Sequence, residues 1–220
     1  MDAAFAQLRG RSANTGELRQ VFIRRVHQLI KLGYDRMAPK DFQLEEEPAI
    51  TGELVRRIDE VCDDPRSNDW VTSFSVHDDP PVHSPTRKGK QRCRVDVRLD
   101  SSDCRPRQRF SFEAKRLDAT HSGKKYLGRD GLGCFLWGDY ASEEDTAGML
   151  GYVQSGNPQL WAKKIDALLA KSPQSYAVMT ECRWEQQTLP AGCEHTYRSR
   201  HMRKKPDRPI DVHHILLAFF

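Results

Sequence analysis

The sequence predicts a mixed α/β layer fold, a central β-sheet flanked by helices. Three patterns in chain order point there. Two amphipathic helical stripes come first. A section of period-two alternation follows, and helical patterns then return ahead of late strands. The chain has 220 residues. At about 150 residues per domain, that favours one domain over 1–220: a helical extension over 1–40, a core over 45–180, and a basic loop with a final strand over 181–220.

Residues 14–33 read as the extra N-terminal helix. Leu18, Phe22, Val26, Leu29 and Ile30 form one stripe, Asn14 and Glu17 have capping-box spacing, and Gly33 stands where a C-terminal cap belongs. A second helix begins near Pro48, with Ile50, Leu54, Ile58 and Val61 as its stripe, and ends at Asp63-Asp64-Pro65. Trp70–Val76, Cys93–Leu99 and Arg109–Leu117 alternate as strands, separated by loops over 77–90 and 100–107. Residues 124–138, glycine-rich and aromatic, read as a connection packed on the core. Ser142–Gly156 reads as a helix, with Ser142 as cap and Glu143, Glu144 and Asp145 in the first turn. Pro158–Lys171 reads as another helix, and Ser175–Cys182 and Val212–Phe220 as late strands.

Composition narrows the class. Hydrophobic residues make up 38% of the chain and charged residues 30%, enough apolar material for one core and too much for a disordered chain. The longest apolar run, Ile215–Phe220, is too short to cross a bilayer. The N-terminus has no apolar signal region, so a cytoplasmic location is expected. No C-x-x-C pair occurs among the six cysteines, which read as reduced thiols. A zinc site drawn from Cys182, Cys193, His195 and His201 fails on the long gap between its cysteines.

The chemistry concentrates in two strands. In Arg94–Leu99, Val95, Val97 and Leu99 face one side and Asp96 and Arg98 the other. In Phe110–Leu117, Phe112 and Ala114 share one face, Glu113 and Lys115 the opposite one. If the strands pair, Asp96 and Glu113 converge. Close carboxylates repel unless a cation lies between them, and oxygen-only ligands favour Mg²⁺ or Mn²⁺. A lysine on the same face can orient a water or neutralise developing phosphate charge.

These residues, Asp96 in RVDVRL and Glu113-Ala114-Lys115 in FEAKRL, together with the order of elements, resemble the PD-(D/E)XK nuclease superfamily, which has the restriction-endonuclease-like fold. The resemblance covers roughly residues 45–180. It implies Asp96, Glu113 and the Ala114 carbonyl as metal ligands, with Lys115 activating or positioning the attacking water. It further implies an acid from the preceding helix. With Leu54 at zero on a helical wheel, Glu47 falls near about +20°, within the apolar stripe, and Glu53 near about −100°, off it. A carboxylate on that face needs a partner such as a shared metal, which selects Glu47. Gln154, on the helix expected after the strands, joins the set because many members place a glutamine or lysine there.

The net charge is only +4, but cations cluster in two segments. Residues 87–94 carry Arg87, Lys88, Lys90, Arg92 and Arg94, and run into the Asp96 strand. Residues 197–208 carry Arg198, Arg200, Arg203, Lys204, Lys205 and Arg208. Either segment is a solvated loop or a phosphate contact. The expected function is a Mg²⁺- or Mn²⁺-dependent endonuclease acting on DNA, a restriction or phage-defence component by the resemblance. The alternatives are an inactive nucleic-acid-binding or assembly subunit of the same fold, or an RNase. The apolar end of the last strand is either core or a surface for a second copy or partner subunit.

Overall fold

The computed structural model describes residues 15–82 and 89–220. Asn14, Arg87 and Lys88 lie outside the described residues, and with them the capping box and two of the expected phosphate contacts. Helix α1 (Thr15–Asp35) and helix α2 (Glu47–Asp63) come first. Strands β1 (Phe74–Asp78), β2 (Val97–Ser101) and β3 (Gln108–Leu117) follow. Two short helices, α3 (Gly123–Tyr126) and α4 (Leu132–Leu136), lead to strand β4 (Thr146–Val153) and helix α5 (Pro158–Lys171). The chain closes with β5 (Glu185–Gln186), β6 (Thr196–Met202) and β7 (Pro209–Ala218).

The seven strands among the described residues form one mixed sheet in the order β1-β2-β3-β4-β7-β6-β5. The pairs β3/β4 and β4/β7 are parallel, and the others antiparallel. One face packs on α1 and α2 through Phe110, Phe112, Ala114, Leu150, Tyr152 and Ile215. The other packs on α3, α4 and α5 through Leu117, Met149, Val153, Val212 and Leu216. No helix among the described residues is long and apolar enough to cross a membrane.

Local chemistry explains most boundaries. Asn157 caps α5, its side chain accepting from the Leu160 N–H at 2.7 Å, and Pro158 follows at the first helical position. Gly33 does not end α1, which runs on to Asp35. It is the point of closest approach to α2, where a β-carbon would lie 2.4 Å from Ile58 Cγ1. The first strand starts later than the alternation suggests, because Asp69–Ser73 forms a 3-10 turn. The second starts at Val97 rather than Cys93, with Arg94 in an isolated bridge to Pro81.

Three corrections matter for function. The expected helix over 142–156 is instead strand β4, buried along its whole length. A run with no polar face suits a parallel strand covered on both sides, and its acidic start is a loop. Residues 175–182 form turns that hydrogen-bond irregularly to β6, with one bridge from Val178 to His201, so the expected strand there is absent. The basic stretch from 197 is not a loop. Its first half is β6, followed by a turn into β7.

Most of the apolar C-terminal run is core, while Phe220 at its end is exposed. Strand β7 has β4 on one edge and β6 on the other, and Ile215, Leu216, Leu217 and Phe219 are buried. Both edges of β7 are thus paired within the sheet.

Candidate active site

Strands β2 and β3 pair from Val97 opposite Phe112 to Ser101 opposite Gln108. Beyond Phe112, β3 runs five residues further with no strand on its β2 side among the described residues. The chain at Asp96 turns instead toward the segment after β1, where the Asp79 N–H donates to the Asp96 carbonyl at 3.0 Å. Amides on that open edge need acceptors. The Ala114 N–H donates to Asp96 Oδ2 at 2.6 Å, and the Arg116 N–H to Glu47 Oε2 at 3.3 Å. Two carboxylates, one from the departing β2 strand and one from the first turn of α2, stand in for the missing strand.

Lys115 is at the centre of this arrangement. Its Nζ donates to the Ala114 carbonyl at 2.5 Å, Glu113 Oε1 at 2.8 Å and Glu47 Oε1 at 2.9 Å, and lies 4.0 Å from Asp96 Oδ2. Glu113 is 5% exposed, and its Oε2 is buried with no hydrogen-bond partner. Burial, reinforced by the nearby Asp96 charge, pushes the Glu113 carboxyl up to about 8. Burial also raises the Asp96 carboxyl, against the opposing Ala114 N–H and Lys115. Burial opposes the Lys115 ammonium, but Glu113, Glu47 and Asp96 outweigh it and hold the group above the ordinary lysine range.

The donor set fits a hard divalent cation in kind: three carboxylates, a backbone carbonyl, and one buried carboxylate oxygen lacking a partner. Three carboxylates against one ammonium leave a formal charge of 1 − 3 = −2 when all are ionised. The oxygens converge on the Lys115 ammonium rather than on a common point. Among the described residues no group of three or more His, Cys, Asp or Glu side chains is arranged to hold a metal ion.

The structure therefore brings Asp96, Glu113, Ala114, Lys115 and Glu47 together. Glu53 is elsewhere, paired with Arg56 and Arg57 at 2.6 and 2.7 Å. Gln154 is not on a helix but directly follows β4, buried. Its Nε2 donates to the carbonyls of Phe42 at 2.9 Å and Glu45 at 2.8 Å, which anchors the segment leading into Glu47. It touches none of the clustered oxygens, so its place is that of a positioning residue.

Among the cations, Lys90 and Arg92 are exposed, and Arg94 bonds Asp79 at 2.6 Å, which ties the first basic segment to the site. The second segment lies three strands away on β6. Arg198 pairs with Glu185 at 2.8 Å, and Arg200 lies 4.0 Å from Asp211. Arg203 is 1% exposed and donates to the carbonyls of Ala141 and Glu144 at 2.6 and 2.7 Å. It holds the loop before β4 and is not a surface phosphate contact. Lys204 is exposed, with its Nζ 4.0 Å from the centre of the Trp137 ring.

The reading from sequence missed several side chains beside the site. Asp78 and Asp79 line a cavity of about 270 Å³ together with Glu47, Pro48, Thr51 and Asp96. Their signal was the Asp-Asp-Pro ending β1, read there only as a loop. Arg116 bonds Glu46 at 2.8 Å and His121 Nε2 at 3.0 Å, and His121 bonds Asp118 in turn at 2.8 Å. No family model, curated protein or solved structure matches this chain.

Proposed function

We propose that this chain is a metal-dependent nuclease of the PD-(D/E)XK type that hydrolyses DNA phosphodiester bonds. The observation that carries the reading is the convergence of Glu47, Asp96, Glu113 and the Ala114 carbonyl around Lys115, with Glu113 Oε2 buried and unpartnered. The element order supports it as well. Helix α2, the antiparallel β1-β2-β3, the α3–α4 segment and the parallel β4 run in the α-β-β-β-α-β order of a restriction-endonuclease-like core.

Glu47, Asp96, Glu113 and the Ala114 carbonyl would hold Mg²⁺ or Mn²⁺. The ion would supply Lewis-acid polarisation of the phosphoryl group and a lowered water pKa. Lys115 is held as an ammonium, so its part is to donate: it orients the attacking water or meets charge developing on the phosphate oxygens. Arg94, paired with Asp79, puts a cation beside the cavity, and the exposed Lys90 and Arg92 precede it in the chain as contacts for a phosphate backbone.

The test is cleavage of plasmid DNA and matched RNA by the purified chain, with Mg²⁺ or Mn²⁺ and with EDTA, beside manganese calorimetry. Metal-dependent DNA cleavage that is lost in Glu113→Ala and Lys115→Ala supports the reading. Cleavage surviving in either variant overturns the site. A wild type without any heat of manganese binding overturns the metal chemistry and leaves a nucleic-acid-binding subunit. Cleavage of RNA alone reassigns the substrate.

A further inference from the structure

A second concavity lies beyond the C-terminal ends of the parallel strands β3 and β4, on the sheet face toward which Glu113 and Lys115 point. It encloses about 820 Å³ between the turn after β3, helix α3 and helix α5. That falls within the range of about 300–1,000 Å³ usual for ligand clefts. Its floor is apolar, from Trp161, Ala167 and Leu168, and its rim carries Lys124, Lys164 and Lys171. All three lysines are exposed, and none has an acidic partner within ion-pair distance among the described residues. The Lys164 Nζ lies 4.2 Å from the centre of the Trp161 ring.

The one acid in the lining, Asp118, is already engaged. Its Oδ1 accepts from the Thr120 N–H at 2.7 Å and the His121 N–H at 2.8 Å, and its Oδ2 lies 2.8 Å from His121 Nδ1. Burial of Asp118 is outweighed by these Thr120 and His121 contacts, which hold its carboxyl at about 2. Its charge is thus turned toward the turn's own donors. Asp118 in the groove lining follows Lys115 by three residues, so at most about 11 Å of chain separates the groove's near end from the carboxylate site.

We infer that this groove seats a single-stranded stretch of the nucleic acid beyond the cleaved phosphate, its phosphates on Lys124, Lys164 and Lys171 and its bases over the apolar floor. The choice of occupant rests on charge complementarity combined with an apolar bed. That pairing suits a polyanion carrying flat apolar groups, the design of single-strand grooves. It also rests on reading the adjacent carboxylates as the phosphodiester-cleaving site.

The experiment measures binding of a short fluorescein-labelled oligothymidylate by anisotropy in EDTA, so that cleavage plays no part. Lys124→Glu/Lys164→Glu/Lys171→Glu should weaken binding at least about tenfold and flatten the salt dependence by roughly two, at about 0.7 per phosphate contact. A milder Lys→Gln triple variant, with folding checked by circular dichroism, should shift both in the same direction. Lys163→Glu makes the same charge change on an exposed neighbour outside the groove, and should leave binding near wild type. Unchanged affinity in both triple variants overturns the groove. So does equal weakening by Lys163→Glu and Lys164→Glu, or equal competition by polyglutamate. If the groove variants behave as expected while Mg²⁺-dependent cleavage is absent, the groove stands and the nuclease reading falls.

Discussion

The Asp96 carboxylate accepts the Ala114 N–H at 2.6 Å, on the stretch of β3 edge that β2 leaves open. One short bond thus links the two sequence segments that carry the chemistry, and it fixes the side of β3 from which Asp96 approaches. Glu47 repeats the arrangement two residues on, at the Arg116 N–H. The site is built where a strand pairing stops, because open amides there recruit carboxylates and hold them on one edge.

Asp96→Asn keeps an acceptor oxygen for the Ala114 amide but removes the charge. The expected outcome is a folded protein with thermal stability close to wild type and cleavage reduced at least about a hundredfold, or about 2.7 kcal/mol at 1.36 per decade. Melting curves and initial rates on the same preparation check both halves. Cleavage at wild-type rates would remove Asp96 from the site.

Gln154→Ala leaves the carbonyls of Phe42 and Glu45 without their donor and frees the segment ahead of Glu47. Losing such a positioning group typically costs a metal site about 10–100-fold in affinity or activity. Manganese calorimetry should show weaker binding, and raising the metal concentration should restore part of the lost rate. A purely structural glutamine would lower stability without moving the metal titration.

The pH dependence of folding has two arms. Glu113 holds a proton in the fold up to about 8, against 4.5 for the free group. Its stabilising contribution is complete below about 4.5 and is lost as pH rises toward 8. A gap of about 3.5 pH units, at about 1.4 kcal/mol each, bounds the loss near ~5 kcal/mol. His201 and His213 are buried, and burial lowers both to about 4 from 6.5. Their contribution is complete above about 6.5 and is lost as pH falls toward 4. Urea midpoints in EDTA should therefore decline on both sides of the slightly acidic range. Glu113→Gln should flatten the alkaline arm alone, and an alkaline arm unchanged in that variant would exclude Glu113 as its source.

Gly148→Ala tests the packing that sets the active strand. A β-carbon at Gly148 would lie 2.2 Å from both Cδ1 and Cε1 of Phe112 and 2.9 Å from Cε1 of Phe110. Rigid rings in a filled core cannot yield cheaply, so a loss of about 1–3 kcal/mol is expected as a lower urea midpoint. Phe112 lies opposite Gly148 in the β3/β4 pairing, next to Glu113, so activity should fall as well. A midpoint equal to wild type would mean that the two strands are not packed this closely.

Much of this protein was legible in its residues. Apolar stripes at helical spacing marked α1 and α2, and period-two alternation marked the paired halves of β2 and β3. The same alternation grouped Glu113 with Lys115, and the helical wheel selected Glu47 over Glu53. These signals are local, set by the periods of 3.6 and 2 that each backbone imposes on its own side chains. Strand β4 was not legible. Thr146–Val153 is buried on both faces, and a run without a polar side carries no period to read. The roles of Arg203 and Gln154 were hidden for a related reason. Each bonds carbonyls 59 to 112 residues away in the chain, and no spacing rule reports such a partner. The sequence by itself determined which residue types share a face. Only the tertiary structure decided that β2 turns away at Asp96 and leaves two amides of β3 open. Where a strand pairing ends depends on what the rest of the chain packs against it, and that is where the carboxylates gather.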